Sequence, residues 1–346
     1  MKTNLSFIKT ARDKIQLVDQ KLLPQKLDYV TCKNGTDVAK AIKEMVVRGA
    51  PAIGISAAYG MYLTAWEASK KNKKLTVDIF KKQKQQLDAA RPTAVNLMWA
   101  TSEMLKTAEV FLTSDAAKAK DAALKLLLKL YDKALEIHND DAERCLTMSN
   151  HGVKYLLTKY PKEKHNILTH CNTGSLATGG IGTALGVIRL LSEKGKINMV
   201  YADETRPYMQ GARLTVFELQ KDKIPVTLTI DSQAAYLMQK KMVDAVFVGA
   251  DRIAANGDVA NKIGTYSLSV LAKAHRIPFF VVAPQSTFDK TIETGNDIVV
   301  EERSAKEVLE IQGKQIAPKV PVVNYSFDVT PQANIAAIFS EDGVLE

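Results

Sequence analysis

Apolar and polar positions divide the chain into two kinds of pattern. From Asn166 onward, short apolar runs alternate with helix-length segments. The runs are Ile167–His170, Met199–Ala202, Val226–Ile230, Ala245–Gly249 and Phe279–Ala283. Ser175–Leu191, Gly211–Gln220, Gln233–Lys241 and Thr265–His275 lie between them and read as helices. Such alternation predicts βαβ units, a parallel sheet and right-handed crossovers. Before Asn166 the pattern is mostly helical. Residues 5–32 read as short strands, with Ile15–Val18 and Asp28–Thr31 as candidates. Thr36 is a candidate N-cap for a helix over Asp37–Val47. Pro51 fits the first turn of the next helix. A helix pattern over Val77–Ala90 stops at Arg91, because Pro92 disfavours helix at the residue before it, and another begins at Val95. Ser114–Tyr160 is strongly helical, with an interruption expected near Asn139. The expected fold is α/β: a Rossmann-like parallel-sheet domain over residues 131–346, preceded by a mainly helical N-terminal domain with a small β element over residues 1–130.

The predicted strands are nearly free of charge, but their ends are not. Cys171, then Asp203 and Glu204, then Asp231 and Ser232, then Asp251 and Arg252 each follow a run. In open α/β sheets these ends gather on one edge, where ligands bind. Cys171 stands between a strand and the expected helix from Ser175. It is either a structural thiol or an acid/base or nucleophilic group activated by a helix terminus. Asp251 follows the apolar run Ala245–Ala250, which would desolvate its carboxyl and raise its pKa; otherwise it is a helix cap or pairs with Arg252. Asp203 and Glu204 could pair with Arg206 or Arg213. Asn256–Gly264 reads as a loop, where Asn261 and Lys262 could hold a phosphate or sugar hydroxyls. Earlier in the chain, Arg48 and Gly49 ahead of the Pro51 helix make either an anion seat or a helix corner with a surface arginine. Arg91 at the Pro92 junction is either a ligand contact or a salt-bridge partner.

Composition changes the picture little. The 346 residues are 46% apolar and 25% charged, with room for two domains. No apolar run reaches membrane-spanning length, so no membrane role is expected. Met1–Ser6 lacks a signal-peptide core, which points to the cytoplasm. The formal charge of +9 comes from lysines dispersed over helix faces without interleaved aromatics. That favours anionic metabolites over nucleic acid. Cys32, Cys145 and Cys171 are too few and scattered for a disulfide framework, and Cys32 and Cys145 read as packing residues. His138, His151, His165, His170 and His275 show no paired ligand spacing, so no metal is assigned. The glycine run Gly180-Ile-Gly182-Thr-Ala-Leu-Gly186 falls inside a predicted helix and lacks dinucleotide spacing. No cofactor is assigned.

Five ordered segments together are specific: Arg48–Gly54, Arg91–Leu97, Cys171–Thr178, Asp203–Pro207 with Gln210–Thr215, and Gly249–Ala254 with Asn256–Asp258 and Asn261–Thr265. Over nearly its whole length the chain resembles the methylthioribose-1-phosphate isomerases. Their superfamily includes ribose-1,5-bisphosphate isomerases and regulatory subunits of the exchange factor of translation initiation factor 2. The resemblance implies a cofactor-free aldose–ketose isomerisation of 5-methylthioribose 1-phosphate in methionine salvage, by a homodimer. It puts the catalytic pair on Cys171 and Asp251, and substrate contacts on Arg48, Gly49, Ala50, Arg91, Gln210, Asn261 and Lys262. Two mechanisms stay open, an enolate-like proton transfer and a hydride shift. The opening segment lacks the tryptophan usual in the family; Trp66 and Trp99 are the only two. A 5-deoxyribose-1-phosphate isomerase is therefore the nearest alternative. Ribose 1,5-bisphosphate would need a second phosphate seat that is not evident. A non-catalytic regulatory or metabolite-sensing subunit is the alternative of another class.

Overall fold

The computed structural model describes residues 5–92, 94–300, 302–311 and 313–346. Met1–Asn4 and Thr93, which belong to segments read above, lie outside the described residues. The chain forms two units: one runs to Glu143 and includes Ser175–Gly180, and the other holds Arg144–Gly174 and Ile181–Glu346.

The first unit opens with an antiparallel sheet of β1 (Ile8–Ala11), β2 (Lys14–Val18) and β3 (Tyr29–Cys32). Period-two alternation puts Ile15 and Leu17 of β2 in the core. Helix α1 (Gly35–Lys43) starts earlier than Thr36 would have set it. Asn34 is the cap, its Oδ1 accepting from the Asp37 N–H at 2.9 Å. The helix also ends short of Val47, because Met45 turns to φ 58°. Helices α2 (Ala50–Lys70), α3 (Val77–Asp88) and α4 (Val95–Leu112) follow. Gly49 at φ 92° precedes α2, and Pro51 sits in its first turn. Helix α5 (Ala122–Lys159) runs unbroken past Asn139. Asn139 is exposed, and Asp141 turns its carboxylate outward to accept from the Gly179 N–H at 2.6 Å. These polar side chains cost the helix only about 0.5 kcal/mol each in propensity, too little to break it.

In chain order the second unit begins with β4 (His165–Thr169), α6 (Ala184–Glu193), β5 (Ile197–Asp203), α7 (Val216–Lys221) and β6 (Val226–Thr229). Then come α8 (Ala234–Gln239), β7 (Ala245–Val248), β8 (Arg252–Ala254), β9 (Val259–Lys262), α9 (Thr265–Ala274) and β10 (Phe279–Val282). The chain closes with β11 (Phe288–Asp289), α10 (Lys306–Leu309), β12 (Glu310–Ile311), β13 (Lys314–Gln315), β14 (Phe327–Thr330), β15 (Ala337–Ser340) and β16 (Gly343–Leu345). The main sheet has the order β16-β15-β10-β7-β4-β5-β6, parallel apart from the β16 hairpin. This is the expected Rossmann-like sheet. Both faces are covered, which is why its strands read as unbroken apolar runs. Phe247, Phe280 and Phe339 pack on one face, and Val246, Val248, Val281 and Ile338 on the other. A smaller sheet, β11-β8-β9-β14, stands beside it.

Two expectations fail here for local reasons. The helix expected from Ser175 begins only at Ala184. Gly174, Gly179, Gly180 and Gly182 make the intervening stretch a poor helix, and Gly182 adopts φ 94° where a Cβ would strike the Thr173 carbonyl. Gly180 and Gly182 therefore lie in a loop, not within a helix. The stretch read as a loop over Asn256–Gly264 holds a β-hairpin arm: β8 and β9 pair antiparallel around a turn at Gly257, φ 88°.

Candidate active site

Strand order decides where to look. From β4 the chain steps outward through β5 to β6, then returns to the opposite flank of β4 as β7 and continues outward through β10. The order therefore reverses between β4 and β7, and the crevice at such a reversal is where open α/β sheets bind ligands. Cys171 follows β4 and Asp251 follows β7. The register pairs Thr169 with Phe247, so both residues leave the same edge on neighbouring strands, roughly 4.8 Å apart in the sheet. The ends of β5 and β6 continue the row with Asp203 and Asp231.

Cys171 is half-buried and holds φ 63°, a conformation costly for a residue with a Cβ. Its backbone is fixed on both sides. The Cys171 N–H donates to Thr205 Oγ1 at 2.8 Å, and Thr215 Oγ1 donates to the Cys171 carbonyl at 2.5 Å. Next to it, Asn172 Nδ2 donates to Glu218 Oε1 at 2.8 Å. Glu218 is wholly buried and paired with Arg189, whose guanidinium also meets Asp222 at 2.6 Å and the Ile181 carbonyl at 2.6 Å. Gly174 is required, because a Cβ there would collide with the Glu218 carboxylate. The expected helix terminus is not at Cys171. Helix α6 instead meets Thr173, whose Oγ1 accepts from the Leu185 N–H at 3.3 Å. Cys32 and Cys145 are buried, as packing residues should be, and burial pushes the Cys32 thiol up to about 12.

Asp251 departs from expectation. Its N–H donates to the Ala260 carbonyl at 2.9 Å, but its side chain is exposed. Strand β7 is buried, yet Gly249 and Ala250 carry the chain out beyond the sheet edge before Asp251. The apolar run ahead of Asp251 does not desolvate its carboxyl. Arg252 pairs with Asp289 at 3.6 Å. Gln210 is buried at 5% exposure, and its Oε1 has no hydrogen-bond partner. Asn261 is buried and donates to Thr265 Oγ1 at 3.0 Å. Lys262 donates to the Ser326 carbonyl at 3.0 Å and lies 4.7 Å from the Phe327 ring centre.

In the first unit Arg48 is buried, while Gly49, Ala50 and Arg91 are half-buried. A Cβ on Gly49 would come within 2.6 Å of Ala177 Cα, and the Ala177 carbonyl accepts from the Ala52 N–H at 3.1 Å. Ala177 belongs to the stretch that runs on along the chain from the Cys171 turn. Arg91 sits at the α3–α4 junction, its carbonyl accepting from the Ala94 N–H at 3.0 Å.

Sequence reading passed over His170 except as a metal ligand. It is 1% exposed, with Nδ1 3.0 Å from Asp203 Oδ2 and Nε2 2.9 Å from the Ile263 carbonyl. Asp203 thus pairs with His170, not with Arg206 or Arg213. Burial pushes the Asp203 carboxyl up to about 6, and its carboxylate neighbours hold the His170 imidazole above its ordinary value against the opposing effect of burial. His170, Asp203 and Asp231 offer ligand atoms within 4.8 Å of one another. They are engaged otherwise: Asp231 accepts from the Thr205 and Arg206 N–H groups at 2.7 Å each, and both His170 nitrogens face acceptors. This set is a hydrogen-bonded brace for the Cys171 turn. Thr205 and Thr215 were equally invisible as site residues, since nothing in a threonine's local sequence reports that it will hold another strand's backbone.

Residues 46–346 match the Initiation factor 2 subunit family. Methylthioribose-1-phosphate isomerase of Pseudomonas aeruginosa is 48% identical over 342 residues, covering 96% of this chain and 90% of that protein. The chain belongs to the methylthioribose-1-phosphate isomerase family. The crystal structure of 5-methylthioribose 1-phosphate isomerase from Pyrococcus horikoshii superposes with a TM-score of 0.90 at 42% identity, covering 99% of this chain and 93% of that one. A structure from A. fulgidus described as translation initiation factor eIF-2B, subunit delta, gives 0.85 at 41% identity, covering 99% and 96%. Members of the methylthioribose-1-phosphate isomerase family thus share their fold with translation-factor subunits. Among the described residues, no helix is long and apolar enough to cross a membrane.

Proposed function

We propose that the protein is a cofactor-free aldose–ketose isomerase that converts 5-methylthioribose 1-phosphate to 5-methylthioribulose 1-phosphate in methionine salvage. The observation that carries this reading is Cys171 and Asp251 on adjacent strand ends at the reversal of strand order. Phosphorylation at C1 blocks ring opening through a hydroxyl, so the C1–ring oxygen bond must break with help. Asp251, as the acid, protonates the ring oxygen. Cys171, as thiolate, takes the proton from C2 and returns it to C1. The 2-hydroxyl gives its proton to the Asp251 carboxylate as the ketone forms, so both groups end as they began. Because Asp251 is exposed, the bound substrate has to supply the desolvation that keeps it protonated. In the rival mechanism a hydride passes from C2 to C1, and the two side chains handle only hydroxyl protons. Solvent tritium separates these routes to the extent that the Cys171 thiol exchanges its proton: label at C1 supports the enolate, and full turnover without label counts against it.

Arg48, Gly49, Ala50, Arg91, Gln210, Asn261 and Lys262 are proposed as substrate contacts on the family resemblance. Gln210, with its buried unpartnered Oε1, is poised to accept from a sugar hydroxyl. A 5-deoxyribose 1-phosphate substrate would use the same chemistry. An apolar pocket separates methylthio from methyl by only about 1–3 kcal/mol. Comparative kcat/KM on the two 1-phosphates, with ribose 1-phosphate as control, decides between them. Retention of both Cys171 and Asp251 favours an enzyme over a regulatory subunit. A cytoplasmic homodimer is proposed on the same resemblance. Leu228, Ile230 and Tyr236, exposed along the outer strand β6 and into α8, favour pairing, which light scattering would test.

A further inference from the structure

We infer that His170 is the positioning residue of this site: protonated on both ring nitrogens, it bridges the Asp203 carboxylate to the Ile263 carbonyl and locks the Cys171 turn to the Asn261–Thr265 turn. The inference rests on the proposed role of Cys171, but its chemistry is independent of which substrate the protein takes.

Acceptors surround the ring. The Ile263 carbonyl can only accept, so Nε2 must carry a proton. Asp203 Oδ2 faces Nδ1, and Asp203 Oδ1 is buried with no hydrogen-bond partner. The pair therefore holds one proton more than a neutral imidazole beside an ionised carboxylate. Among the described residues, acidic groups face it from the packed elements. Asp231 follows β6, Glu204 follows β5, and Asp328 on β14 accepts from the Gly264 and Tyr266 N–H groups at 2.7 and 3.0 Å. Their summed potential favours the imidazolium.

The ring also packs directly on the second turn. Gly264, at φ 103°, lies against it so closely that a Cβ would be 3.0 Å from His170 Cε1. One side chain thus reaches three strand ends. It is joined by the chain to Cys171, by a charged hydrogen bond to Asp203 and by a second hydrogen bond to Ile263. Asp203 serves Cys171 as well, since its carbonyl accepts from Thr205 Oγ1 at 3.1 Å, the same hydroxyl that receives the Cys171 N–H. If the extra proton is lost, the Nε2 lone pair faces the Ile263 carbonyl lone pairs and the clamp on the Asn261–Thr265 turn opens.

Two substitutions divide the two bonds. His170→Asn places an amide where Nδ1 was and can still meet Asp203, but it does not reach Ile263. His170→Gln places one where Nε2 was and keeps the Ile263 bond. With 5-methylthioribose 1-phosphate, His170→Asn should raise KM and lower kcat by about 10²-fold, the cost of an ångström-scale misplacement. His170→Gln should hold KM near wild type while kcat falls. Folded variants whose KM and kcat both match wild type would overturn the inference, as would an identical loss in both. Nitrogen-15 NMR of the His170 imidazole in the wild-type protein provides a measurement that needs neither variants nor turnover. Two protonated ring nitrogens at neutral pH are expected, and a single neutral tautomer there refutes the clamp. Absence of wild-type turnover on the sugar phosphate would sink the functional reading alone and leave this NMR test standing.

Discussion

Arg189→Met removes a cation that the structure pairs with two buried carboxylates. Arg189 and Glu218 are fully buried and Asp222 is nearly so, with guanidinium–carboxylate distances of 2.8 and 2.6 Å. Methionine fills similar volume, so the loss is electrostatic rather than a cavity. Removing one partner of a buried pair costs about 3–5 kcal/mol, because the other charge is left desolvated and uncompensated. At roughly 2–4 °C per kcal/mol for a domain of this size, Tm should fall by roughly 6–20 °C. Differential scanning calorimetry at neutral pH measures it. The deficit should shrink in acid, since the orphaned carboxylates then gain protons that neutralise them. Adding Glu218→Gln should recover part of the loss, because it removes one stranded charge and keeps an acceptor for Asn172. A Tm drop below about 2 °C would refute the reasoning, since it would mean the carboxylates are relieved by water or never depended on Arg189.

Gly174→Ala drives a methyl into the Glu218 carboxylate, and should cost about 1–3 kcal/mol in urea unfolding while lowering turnover through the adjoining Cys171 turn. The His170–Asp203 pair should give stability a defined slope with pH. Asp203 titrates near 6 in the fold against 3.8 ordinarily, and His170 above 6.5, so the native state holds protons more tightly than the unfolded chain. The Asp203 contribution is complete below 3.8 and lost as pH rises through about 6; that of His170 is complete below 6.5 and lost as pH rises through its higher folded value. His170→Asn leaves Asp203 to ionise without its cation, so in urea titrations the gap to wild type should open as pH rises through about 6 and close again above the raised folded value of His170; a gap that keeps widening there would reverse the assignment.

How much of this was legible depends on range. The parallel sheet could be read because its strands are buried on both faces and so appear as apolar runs between helices. Cys171, Asp231 and Asp251 could be placed on its edge from position alone. Helix limits set by local side chains were less visible. Asn34 and Thr36 are both acceptable cap types, and the Asn34 bond to the Asp37 N–H decides between them. The run Ser175–Leu191 has helical spacing, but its glycines favour the loop that the backbone takes up to Thr183. Exposure of Asp251 was hidden because two small residues past a buried strand are enough to leave the core. The brace of His170, Asp203, Thr205 and Thr215 is invisible in sequence, since the bonds that tie it to His170 and Cys171 join residues more than thirty positions apart.

The central claim is that a thiol and a carboxylic acid on neighbouring strand ends share the proton traffic of one isomerisation. Steady-state conversion of 5-methylthioribose 1-phosphate by Cys171→Ser and by Asp251→Asn, each shown by circular dichroism to be folded, tests it most directly. Each variant should lose about 10²–10⁴-fold in kcat, the usual worth of a general acid or base. Near wild-type turnover by either one would contradict the claim.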